Sequence, residues 1–228
     1  MKIETHKKIS PGAQVGWLAR AAMVGFLSSA FFAGWLRLPR NAFLLPYGIV
    51  AAVFLFAYFR ASGVDLAAHF RQRPALGALG AAVAGAMVIA NVLSQPASTG
   101  PEGWELILAI LWVGVAYGIL DALLLSVMPV VATWLACARV GLTAKPGGLL
   151  LAAGLALAAS LVVTAAYHLG YPEFRGPQVT GPIIGNAILT AAYLLTRSPL
   201  STTLAHVGMH VAAVLHGMET TVQLPPHH

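Results

Sequence analysis

Four ionisable residues lie in otherwise apolar stretches: Asp121 within Leu106–Val127, His168 closing Leu149–Tyr167, and His206 with His210 in H-V-G-M-H. A polar side chain in hydrocarbon is costly, so it faces a bundle interior or a water-filled cavity and is kept there for a purpose. His206 and His210 are four apart, which puts both rings on one face of a helix. Neutral imidazole is a common metal ligand, and that spacing lets two rings reach one ion or one substrate group. A hydrogen-bonded structural pair would have the same spacing. Asp121 needs a partner or a bound cation. His168 precedes Gly-Tyr-Pro, which also suits the membrane interface. One carboxylate and three histidines, Asp121, His168, His206 and His210, form a donor set suited to Zn or Fe. His168 with His206 or His210 would instead suit bis-histidine haem ligation; with no C-x-x-C-H motif that haem would be b-type.

The elements that must position these groups are membrane helices. The chain has 228 residues, 58% of them hydrophobic and only 9% charged, with a mean hydropathy of +0.79, which points to a multi-spanning membrane protein. A single cysteine, Cys137, excludes an internal disulfide. The net charge of +6 reads as topology rather than nucleic-acid binding, because the basic residues fall between apolar spans. The first apolar stretch is long and lacks an A-x-A-like site, so it reads as a retained helix. At roughly 20 residues per crossing, spans are expected at about 14–36, 43–62, 75–96, 105–127, 147–170, 178–196 and 199–217, with a further apolar piece at about 129–140 after Pro129. The fold class is therefore an all-α polytopic bundle of seven or eight transmembrane helices, one membrane domain over residues 1–228.

Seven spans with the N-terminus inside place Lys2, Lys7, Lys8, Arg20, Arg60, Arg71, Arg73, Arg139, Lys145 and Arg197 inside, and Arg37, Arg40 and Arg175 outside. That satisfies the positive-inside rule and indicates a cytoplasmic (inner) membrane. Seven spans also put Asp121 and His168 at opposite depths. A break at Pro129 would make eight and bring the two together. Trp17, Trp35, Trp104 and Tyr171 near span ends suit an aromatic belt. Gly77 and Gly80, and the G-x-x-x-G of Gly181 and Gly185, are expected to let helices pack closely within the bundle, with homodimerisation as the other reading.

From about residue 111 to residue 218 the chain resembles the CPBP intramembrane protease family, also called the CAAX-protease and bacteriocin-processing or Abi family. The family's motifs run E-E-x-x-x-R, F-x-x-x-H, then H-x-x-x-N or a close variant. This chain has Y-G-I-L-D-A-L-L-L-S-V around Asp121, T-A-A-Y-H ending at His168, and H-V-G-M-H from His206. Asp121 stands for the first glutamate, Ala122 for the second and Ser126 for the arginine. Thr164 replaces the phenylalanine and His210 the asparagine. The resemblance implies Asp121 as a shortened base, His168 as its partner in activating water, and His206 as an electrostatic or ligand residue. The substitutions suit either a redirected metal-dependent intramembrane hydrolase or a non-catalytic derivative, a pseudoenzyme. A third reading is a small integral subunit packed against a larger membrane complex. Expected partners are membrane lipids and a peptide substrate or membrane-protein partner.

Weaker features are Asp65 with His69, expected in a solvated loop; His216, expected at the interface; and Glu173 with Arg175, expected as an exposed pair. No Walker A loop, Rossmann fingerprint, G-x-S-x-G or H-E-x-x-H occurs.

Overall fold

A computed structural model describes residues 1, 3–6 and 9–224. The topology signals Lys2, Lys7 and Lys8 and the closing Pro-Pro-His-His fall outside the described residues. The described residues fold into eight helices: α1 (Pro11–Trp35), α2 (Arg40–Ser62), a short α3 (Leu66–Phe70), α4 (Pro74–Leu93), α5 (Gly103–Arg139), α6 (Gly148–Leu169), α7 (Pro177–Thr196) and α8 (Pro199–Gly217). No strand forms among them; one isolated bridge joins Thr5 to Val64. Six helices, α1, α2, α4, α5, α6 and α7, are long and apolar enough to cross a membrane. The chain is an all-α integral membrane protein. The seventh long helix, α8, carries Ser201, Thr202, Thr203, His206 and His210 buried inside the bundle, packed against α4 and α5.

Helix starts follow ordinary capping chemistry. Ser10 accepts from the Ala13 amide ahead of α1, and Asp65 accepts from the Ala68 amide ahead of α3. Pro74 and Pro199 open α4 and α8, where no intrahelical donor is needed.

The break at Pro129 that an eight-span bundle would need does not occur. Residues 103–139 run as one helix of 37 residues, about 55 Å long at 1.5 Å per residue. Wide π-type turns at Ile110–Ala116 and Ala122–Val127 interrupt the regular α pattern, the second just ahead of Pro129. The carbonyl that residue 129 would claim in a regular helix is that of Leu125. It accepts instead from Ser160 Oγ of α6 at 2.6 Å and from Asn186 Nδ2 of α7 at 3.4 Å. Neighbouring helices thus absorb the proline, as membrane bundles allow.

The long α5 also removes the conflict of depth between Asp121 and His168. Since α6 returns from beside Arg139, its 22 residues end level with the middle of α5, where Tyr167 meets Tyr117 at 2.7 Å. Glycine sets the other contact. A Cβ at Gly118 would lie 2.9 Å from Val207 Cα, and one at Gly114 would lie 2.8 Å from Val211 Cγ2. This close approach of α8 brings His210 against Asp121.

One end of the bundle gathers the N-terminal segment, Arg60, Arg71, Arg73, Arg139, Lys145 and Arg197. At the other, Arg40 bonds the Leu224 carbonyl, His216 bonds the Gln95 carbonyl and Gln95 bonds Gln223. Arg175 there reaches the Leu169 and Gly170 carbonyls. Trp35 and Trp104 are exposed, whereas Tyr171 is fully buried and takes no part in a belt.

Candidate functional site

Asp121, His168, His206 and His210, brought together from α5, α6 and α8, line one cavity of about 280 Å³. Asp121 sits between the two wide turns of α5, where the backbone departs from the regular register. Its Oδ1 accepts from the Tyr47 hydroxyl of α2 at 2.8 Å. Its Oδ2 lies 3.7 Å from His210 Nε2, with both side chains buried. That separation is an ion-pair distance and slightly long for a direct hydrogen bond.

The histidines are held in two ways. His168 Nδ1 lies 2.8 Å from the Thr164 carbonyl, and His206 Nδ1 lies 3.1 Å from the Thr202 carbonyl. A carbonyl only accepts, so each Nδ1 carries a proton and each neutral ring keeps its Nε2 lone pair free. His210 differs: neither of its ring nitrogens has a hydrogen-bond partner, although the residue is only 2% exposed. Its ring stacks 6.3 Å from that of His206 and lies tilted, 4.8 Å from that of Tyr117.

Behind Asp121 lie four fully buried or nearly buried tyrosines, Tyr47, Tyr117, Tyr167 and Tyr171. Tyr171 donates to the Tyr167 hydroxyl at 2.5 Å, and Tyr167 pairs with Tyr117. Below the site is a second polar group. Asn186 accepts from Ser126 at 2.8 Å and donates to Ser160 at 2.9 Å and Thr164 at 2.6 Å; Thr190 bridges Ser126 and Ser160, both at 2.9 Å.

Comparisons of the chain with protein-family models, curated proteins and solved structures return no match. What the site can do is therefore argued from its own geometry. The four side chains expected to form a Zn or Fe set share the cavity without gathering round a point. Among the described residues, no three His, Cys, Asp or Glu side chains form a group able to hold a metal ion. What the side chains do offer is a buried carboxylate oxygen and histidine nitrogens open to a small polar guest.

Sequence reasoning passed over Tyr47, Asn186 and the tyrosine group. Asn186 alone carried a signal, a carboxamide in an apolar helix four residues before Thr190. His69 also departs from expectation: it is buried, with Nε2 2.6 Å from the Tyr193 hydroxyl. Burial, aided by the nearby N-terminal amine, pushes its imidazole down to about 4.

Proposed function

We propose that this protein is a hydrolase acting inside the membrane, a divergent CPBP-like enzyme whose Asp121 and His210 share the work of activating a water. One observation supports the reading above the rest: a carboxylate and three histidines from three helices line one cavity with unused acceptor atoms. A water beside the pair gives a proton to Asp121 Oδ2 as its oxygen attacks the scissile carbonyl; the bond from that carbonyl to the leaving group then breaks, and the leaving group takes the proton from Asp121. The Nε2 atoms of His168 and His206 accept from the water or the substrate and orient it. Exclusion of bulk water strengthens each of these interactions.

The departures from the family pattern support redirection over decay, because they are paired with each other. Asp121 faces His210. Ser126 and Thr164 both bond Asn186. Four of the five substitutions fall in these two couples, and Ala122 alone stands outside them. Positive-inside reasoning supports placing the arginine-rich end and the N-terminus in the cytoplasm, with α8 as a seventh crossing.

The test is turnover in proteoliposomes of a panel of fluorogenic ester and amide reporters carried on membrane-anchored chains. Asp121→Asn lowers turnover at least ~100-fold, within the range for a lost general base, while thermal unfolding in detergent is unchanged. Chelator treatment leaves turnover as it was. Activity lost to chelation and restored by zinc would show that the side chains close on an ion. A folded wild-type protein that turns over no reporter overturns the hydrolase reading and leaves a binding cavity.

A further inference from the structure

Gly181 and Gly185 were expected to pack closely against another helix. They do not: a Cβ built at either position meets nothing within 4 Å. Gly77 and Gly80 behave as expected, with Cβ positions 2.5 Å from Ser198 Oγ and 2.6 Å from Thr196 Cγ2. Near Gly80 and Thr196, α4 and α7 touch. Further along, Met87 and Asn91 of α4 and Gly181 and Gly185 of α7 line the cavity. The cavity reaches the lateral surface there, since its lining includes Ile184 at 61% and Met87 at 54% exposure. The glycine edge of α7 is one side of an opening toward the lipid.

The chemistry of the cavity selects its guest. The walls are mostly apolar, from Val88, Leu125, Ile188, Leu189 and Met209. The polar end holds the Asp121 carboxylate and the free Nε2 atoms of His168 and His206, all acceptors, beside the unpartnered His210. An acceptor-rich end calls for donors on the ligand. The apolar walls suit an acyl chain, and the lateral opening lets one enter from the lipid.

The geometry points to a single-chain lipid with a hydroxyl-bearing head, such as a monoacylglycerol, that enters between α4 and α7 past Gly181 and Gly185. This rests on the reading of the cavity as the working site but needs no turnover. If the lipid is hydrolysed, water adds to the ester carbonyl, the acyl–oxygen bond breaks, and a fatty acid and glycerol leave.

Binding of monododecanoylglycerol to the detergent-purified full chain is followed by native mass spectrometry. One saturable site is expected. Methyl dodecanoate, which has no donor, binds about tenfold more weakly, and two-chain phosphatidylglycerol does not compete. Gly185→Leu and Gly181→Leu, which fill the opening without touching the polar end, each weaken binding about tenfold. Gly154→Leu, at another open surface glycine, leaves it unchanged. Non-saturable uptake, equal binding of the methyl ester, or wild-type affinity in both portal variants overturns the proposal. Should the portal variants fail to fold, a diazirine-bearing chain photolabels the segments of Met87 and Ile184 in the wild type; labelling confined to other segments overturns it equally. Binding without turnover keeps this inference and removes only the hydrolase reading.

Discussion

Two polar groups lie side by side in the core, and they are built on opposite principles. Around Asn186, every hydroxyl and both ends of the carboxamide have a partner within the protein. Around Asp121, bonds to Tyr47, Thr164 and Thr202 fix orientation, while the atoms facing the cavity are left open. A saturated cluster in hydrocarbon joins helices and specifies their register. An unsaturated one is costly to maintain, and Asp121, His168, His206 and His210 all line the cavity where a guest could complete it. Burial of polar residues alone does not separate glue from site; the state of their last free atoms does.

Breaking the two groups should therefore give different phenotypes. The largest effect is expected for Asp121→Asn, which lowers turnover at least ~100-fold, a barrier increase of about 2.7 kcal/mol, while the melting temperature is kept. Asn186→Ala should do the reverse. It removes one bond each from Ser126, Ser160 and Thr164 at once and lowers stability by about 1–3 kcal/mol, read from denaturant unfolding in detergent; loss of turnover without loss of stability would erase the distinction between the two groups. Thr164→Val removes the bond accepted from Asn186 and the one donated to the Ser160 carbonyl and, since the Thr164 carbonyl still orients His168, should cost about 0.6–1.5 kcal/mol with near-native activity. The smallest test lies outside both groups. The folded-state value of about 4 at His69 lies below its unfolded value of about 6.5, so the unfolded chain takes up that proton first. Stability contributed by the neutral ring is present above about pH 6.5 and is lost as pH falls toward 4. His69→Gln should flatten that part of the stability profile, and an unchanged slope would contradict the burial of the ring.

The helical class and the four ionisable residues were legible because charge in an apolar run stands out against its neighbours. Other features depend on what comes near in space. Asn186 and Tyr47 are ordinary helix residues until Ser126 and Asp121 meet them. Pro129 signals a break in any single-chain reading, since the groups that tolerate it sit on α6 and α7. The spacing of Gly181 and Gly185 matches that of helices in contact, yet no helix arrives there. His69 looks solvated by sequence and is covered only because Tyr193, far along the chain, reaches it. In each case the missing information is a long-range neighbour.

The carbonyl of Leu125 bears on how the molecule is assembled. Its side-chain partners, Ser160 and Asn186, are synthesised after it, on helices that enter the bilayer later. The middle of α5 therefore cannot reach its final hydrogen-bonded state during its own insertion. It waits for α6 and then α7, and α7 is also the helix that borders the portal. The order of synthesis thus makes closure of the scaffold and creation of the opening a single late event, so a chain truncated before residue 186 should lack both.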